Sequence, residues 1–267
     1  MNAFKKTIVA ASIAAASLFS INANAALFNE FSVSVEGKNF KADKIGGNYV
    51  ELATFNPDGT FNVSLLWNAG QFITGGGTQN VRNTGLDNDY GIYAIYKASG
   101  NYTTTGGATT FNFLPGSGAL QMFLDVNNDT DRTVPTTGSG NFVFTSSGDD
   151  RLLATGNALS GEGTLNPSLS TCGDSNGLNC GSFGSETTFS LTPFGKTIFV
   201  APNPFYNMSF QSGNLNNFTP TGTVEINGGL NVVFSRAAEV PEPASVGLLG
   251  LGMLGLYAAR RRNKKAA

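Results

Sequence analysis

The chain has 267 residues, with 18 Asp and Glu, 16 Lys and Arg, and no histidine. The missing imidazole excludes Ser-His-Asp and Cys-His catalysis and every histidine metal ligand. Between Ala26 and Ala238 nine basic residues stand against 16 acidic ones, a net charge of −7 that argues against nucleic acid or anionic lipid as an electrostatic partner.

At the N-terminus Lys5 and Lys6 precede an apolar run from Thr7 to Ile21, followed by Ala23-Asn24-Ala25. Small residues at Ala23 and Ala25 predict a secretory signal peptide over residues 1–25, carried by the Sec translocon and cut by signal peptidase before Ala26. Residues 26–238 are the exported part, long enough for one β domain with its own core. Gly, Ser, Thr and Asn dominate its polar positions, and long amphipathic helical patterns are absent.

Strand signals then alternate with turns. Phe31–Val35 alternates with period two, as does Thr60–Leu65 after the Asn56-Pro57-Asp58-Gly59 turn. Tyr90–Lys97 is apolar on both faces, which places it in the middle of a sandwich or barrel wall. Further strands are predicted at Thr109–Leu114, Ala119–Val126, Asn141–Thr145, Thr187–Leu191, Lys196–Val200 and Tyr206–Gln211. Thr223–Ile226 and Leu230–Ser235 read as a hairpin turning at Asn227-Gly228-Gly229. Residues 146–186, rich in Ser, Gly and Asn, read as long loops. The expectation is an all-β, antiparallel β-sandwich or jelly-roll-like barrel.

Few residues carry chemistry. Cys172 and Cys180, flanked by glycines and exported to an oxidising compartment, predict a small-loop disulfide that stabilises by about 2–3 kcal/mol. Asp125, Asn127, Asp129 and Asp131 put oxygen ligands at alternate positions, as at the start of a Ca²⁺ loop. The pattern lacks the usual glycine and has Thr136 where the last acidic ligand belongs, so the other reading is a plain Asp/Asn turn. Trp67, beside Asn68 and Gln71, can stack on a sugar ring or anchor the core. Asp87, Asp89, Asp125, Asp129, Glu162 and Glu225 are the carboxylates from which a glycosidase pair would be drawn. No cofactor is expected, and no enzymatic activity.

The C-terminal segment, residues 239–267, is the most specific part of the chain. Pro241-Glu242-Pro243 precedes an apolar stretch from Ala244 to Ala259, and Arg260, Arg261 and Arg262 follow it. As a helix the stretch would span about 24 Å, which arginine snorkelling extends toward the hydrocarbon thickness. Triplet, glycine-rich span and arginine cluster in this order closely resemble the PEP-CTERM sorting signal of Gram-negative bacteria. That resemblance implies transient insertion in the inner membrane and processing by exosortase near the triplet. The end state is a protein at the cell surface or in the extracellular matrix. Ala201–Phe210 (APNPFYNMSF) in turn resembles a segment of the flocculation-associated PEP-CTERM proteins. This second resemblance implies association with exopolysaccharide and a role in cell aggregation; a lectin-like module and a carboxylate glycosidase are the alternatives.

Overall fold

A computed structural model describes residues 28–236 except 173–176, 178 and 214. The signal-peptide residues Ala23, Ala25 and Ala26 lie outside the described residues. So do Pro241, Glu242, Pro243 and the Arg260–Arg262 cluster. Among the described residues no helix is long and apolar enough to cross a membrane.

Among the described residues sixteen strands and one short helix follow in chain order. They are β1 Phe31–Val35, β2 Lys38–Ala42, β3 Lys44–Phe55, β4 Thr60–Thr74, β5 Gln79–Asn80, β6 Gly91–Thr105, β7 Ala108–Phe113 and β8 Ala119–Asp125. The second half holds β9 Asp131–Thr133, β10 Val143–Thr145, β11 Arg151–Leu165, β12 Gly181–Thr187, β13 Ser190–Leu191, α1 Gly195–Ile198, β14 Phe199–Ala201, β15 Asn207–Ser212 and β16 Gly222–Ser235.

The largest sheet closes on itself. Its order runs β4-β3-β16-β15-β12-β11, and β7 and β8 share the next place before β6, which returns to β4. Every pairing in this ring is antiparallel, and ring neighbours are successive in the chain, with the first and last long strands, β3 and β16, completing the circle. The architecture is therefore all-β and antiparallel as expected. It is an up-and-down barrel rather than a sandwich or jelly roll, because β3 and β16 pair edge to edge instead of stacking face to face. Eight strand places leave an interior that side chains can just fill.

The barrel filling follows the period-two alternation of each strand. Ile45, Tyr49, Ala53 and Phe55 on β3, Phe61, Val63, Leu65 and Trp67 on β4, and Ile92, Ala94 and Tyr96 on β6 all point into one core. Tyr90–Lys97 is apolar on its other face for a separate reason. Tyr93 and Ile95 lie outside the barrel in a second small core with Leu66, Phe142 and Phe144, covered by the β9–β10 ribbon. At one end a small sheet, β14-β1-β2, plugs the barrel with Phe31, Phe199, Phe205 and Phe234 in mutual ring contact. The Asn29 amide donates to the Phe234 carbonyl at 3.0 Å, so the chain enters and leaves the barrel at this same end.

Three expectations are corrected. Asn227-Gly228-Gly229 is not a turn: β16 runs straight through it, and Gly228 and Gly229 stand opposite Tyr49 and Asn48 in an unbroken ladder. Residues 146–186 are not mainly loops, since β11 spans Arg151–Leu165 and bonds to strands on both sides. Lys196–Val200 begins as the short helix α1 before joining β14. In the first two cases ladder hydrogen bonding outweighs the low strand propensity of Gly, Ser and Asn.

Trp67 is core. Its indole is fully buried and its Nε1 donates to the Leu230 carbonyl at 2.9 Å, so the glycan contact considered for it is not available. Gly47 makes room for it: a Cβ there would sit 2.6 Å from Trp67 Nε1 and 2.1 Å from the Asn68 carbonyl oxygen. Gly47→Ala should therefore destabilise the barrel by about 1–3 kcal/mol through overpacking. Gly70→Ala on β4, whose nearest neighbour would be 3.8 Å away, should be nearly neutral. Thermal unfolding of the two variants separates close approach at Trp67 from a generic preference for glycine.

Candidate functional site

The end of the barrel opposite the chain termini holds a carboxyl group in an apolar chamber. On β3 the sequence Tyr49-Val50-Glu51-Leu52-Ala53-Thr54-Phe55 alternates, so Glu51 falls in phase with Tyr49, Ala53 and Phe55 and must face inward. Glu51 is 7% exposed and borders a cavity of about 30 Å³ walled by Phe55, Phe61, Phe111, Phe113, Phe183 and Phe218. Among the described residues none is hydrogen-bonded to its carboxyl. Burial alone pushes its pKa up to about 8, so the acid is predominantly neutral at pH 7.

Two tyrosines share its layer. Tyr49 titrates far above its ordinary range, through burial first and the nearby Glu51 second. Tyr96 is pushed up to about 12 by burial, while its hydrogen bond with Ser185 at 2.6 Å opposes the shift. The polar groups inside the barrel thus sit together beneath the aromatic wall.

Two connections close this end. Leu215 is buried over the cavity, and Phe218 stacks on Phe55 and Phe111 with ring centroids 5.9 and 6.1 Å apart. The expected disulfide is present: Cys172 and Cys180 are bonded, with Cα atoms 4.3 Å apart. It anchors the lid, because the Cys180 N–H donates to the Leu215 carbonyl at 2.9 Å and the Leu215 N–H donates to Gly181 at 3.1 Å.

The predicted cation loop is only partly assembled. Asp125, at the end of β8, accepts the Asp129 and Thr130 N–H groups at 3.2 and 3.0 Å, the hydrogen bonding of an Asp/Asn turn. Oxygens of Asp125, Asp129 and Asp149 lie within 4.8 Å of one another and could together hold a cation that prefers oxygen. Asn127 donates its side-chain amide to Asp149 at 2.7 Å, and Asp131 stands apart on the exposed ribbon strand β9. Asp149 comes from the turn before β11, a partner that spacing within 125–131 could not reveal. Next to it Asp150 accepts the Tyr93 hydroxyl at 2.6 Å, and burial raises its pKa. Of the other carboxylates considered, Glu162 and Glu225 are exposed on the outer face, and Asp89 pairs with Lys38.

A third feature lies at the terminus end. Phe189, Lys196, Pro202, Asn203, Pro204 and Phe205 line an open groove of about 340 Å³.

Residues 239–262 match the PEP-CTERM protein-sorting motif. The match covers the triplet, the apolar stretch and the arginines, and it marks an exported protein with exosortase as its processing partner. No curated protein and no solved structure matches the chain.

Glu51 also yields a stability signature. Its folded pKa of about 8 exceeds the ordinary 4.5, so the folded state binds more protons between those values and stability falls as pH rises through that window. The steepest loss is about 1.4 kcal/mol per pH unit. Glu51→Gln should flatten this dependence, match the natural protein near pH 4.5 and exceed it in Tm at pH 8, as read by thermal unfolding across the range.

Proposed function

We propose that this protein is a surface or extracellular-matrix component that associates with exopolysaccharide and promotes cell aggregation. The observation that carries the proposal is the groove at Pro202–Phe205. The Ala201–Phe210 segment supplies one wall of it, and it combines proline and phenylalanine surfaces with the polar groups of Ser190, Lys196 and Asn203. Apolar ring faces with hydrogen-bonding neighbours suit the two faces of a sugar ring. An open groove, unlike a closed pocket, accepts a polymer that continues in both directions. Weak contacts at each groove gain strength when many copies engage one chain.

Placement supports the same reading. The groove is at the end of the barrel where the last strand, β16, finishes, and the sorting triplet follows five residues after Arg236 in the sequence.

The test begins with processing in the protein's own cells. An internal tag should report loss of about 25 C-terminal residues and appearance in the matrix fraction, with both abolished by Pro241→Ala/Pro243→Ala; a full-length product held in the membrane in both strains would mean a simple anchor. Mature protein should then be retained on the cells' own polysaccharide, and Lys196→Ala/Asn203→Ala should weaken retention at least several-fold without lowering Tm. Saturable binding of one defined oligosaccharide would favour a lectin-like module instead. Release of reducing ends would indicate a glycosidase.

A further inference from the structure

A molecule with one polymer groove coats a chain, whereas a molecule with two separate sites bridges two chains. The barrel has a second concavity that suits this role. It lies on the outer wall where the β9–β10 ribbon meets β4, β6 and β8. Asn68, Asp87, Asp125, Asn128 and Arg132 line it, above an apolar floor of Leu66 and Phe144. Its volume is about 120 Å³, room for roughly eight waters at about 15 Å³ each and so for one small polar ring. No residue lines both this pocket and the groove at Pro202–Phe205.

The fold holds these polar groups in place. Asp125, 5% exposed at the end of β8, accepts the Thr130 N–H on one oxygen and the Asp129 N–H on the other. Its carboxylate is thereby fixed, and each oxygen keeps a further lone pair. The Asn128 amide nitrogen donates to the Asp87 carbonyl at 2.9 Å, which turns Oδ1 toward Gly91. Glycine keeps that corner open, since a Cβ at Gly91 would sit 2.8 Å from Asn128 Oδ1 and 3.4 Å from Asp125 Oδ2. Asn68 stands on the outer face of β4, in phase with Leu66. Arg132, on the exposed ribbon strand β9, forms no ion pair among the described residues.

The mixture of groups restricts the ligand. Carboxylate and amide oxygens only accept hydrogen bonds, while guanidinium and amide nitrogens only donate. A hydroxyl does both, so a ring with adjacent hydroxyls satisfies both kinds at once. An anion would meet Asp87 and Asp125, and a cation would lie beside Arg132. An apolar molecule would strip water from every polar group and return nothing. The floor of Leu66 and Phe144 gives the C–H face of a sugar its contact.

We infer that the pocket between the β9–β10 ribbon and the barrel wall binds one neutral sugar residue, a chain end or side branch, with its hydroxyls on Asp125, Asn68 and Arg132. With a chain interior in the groove, each molecule then joins two chains. The bridging rests on the polysaccharide reading of the groove; the sugar pocket itself does not.

The experiment is a nitrogen-15 NMR titration of the exported, disulfide-bonded protein with the methyl glycosides of glucose, galactose and mannose, and separately with glucuronate. At least one hexoside should shift the Asn68 and Asn128 side-chain amide signals saturably, with glucuronate at least tenfold weaker. Asn68→Ala and Arg132→Ala should each weaken binding about fivefold, the loss of one hydrogen bond. Gly91→Ala, whose methyl crowds Asn128, should weaken it also. Lys196→Ala/Asn203→Ala should leave hexoside binding unchanged, and the pocket variants should stay on the cells' polysaccharide without aggregating it. No saturable shift with any hexoside, shifts confined to the groove, or equal affinity for glucuronate would each overturn the inference. Hexoside binding at Asn68 without retention on the polysaccharide would support the pocket and remove the reading of the groove. The shifts are read on the natural protein, so they decide the matter even if a variant fails to fold.

Discussion

The ladder between β3 and β16 runs from Gly222 opposite Phe55 to Val233 opposite Lys44, and it joins the first long strand of the barrel to the last. Without it the ring would be an open sheet with two unpaired edges, the arrangement most prone to edge-to-edge aggregation. With it, Tyr49, Trp67, Glu51 and the phenylalanine wall are enclosed, and the groove and lid acquire fixed ends to sit on. The pairing spans nearly the whole exported part, so closure must await β16 and carries a large loop-closure cost. The strand that closes the barrel directly precedes the sorting motif at residues 239–262. Export must therefore deliver almost the entire chain before the barrel can form.

The two barrel ends solve the problem of a finite tube differently. At the terminus end a separate three-stranded sheet and a cluster of phenylalanines plug the opening, and the chain enters and leaves there. At the far end no strand is available, and closure falls to the Leu215–Phe218 connection stapled by the Cys172–Cys180 loop. A plug built of ladder hydrogen bonds is stiff.

Legibility followed the hydrogen-bonding environment of each segment. Strands whose pattern alternates cleanly, such as Phe31–Val35 and Ala119–Asp125, were recognisable because one face is buried and the other is wet. The longest ones were cut short or missed. Thr60–Leu65 proves to be the start of a fifteen-residue strand, and β3 shows no clean period-two alternation, with buried residues running together at Ile45-Gly46 and Glu51-Leu52-Ala53. Gly47 makes room for the Trp67 indole across the ladder, a fact visible only once the strands are paired. Glu51 was hidden with β3. The signal that could have found it is its phase: a carboxylate at an inward position between Tyr49 and Phe55. Asp149 was hidden by distance along the chain, and the disulfide was readable from compartment and spacing together.

The central claim is that burial beneath the phenylalanine wall keeps a carboxylic acid neutral inside the barrel end. Carbon-13 NMR of the Glu51 side-chain carboxyl, followed as pH is raised, tests it most directly. A titration midpoint near pH 8, far above the ordinary 4.5, is the predicted result. A midpoint near the ordinary value would show that Glu51 is well hydrated, and the account of a carboxyl held neutral by burial would be wrong.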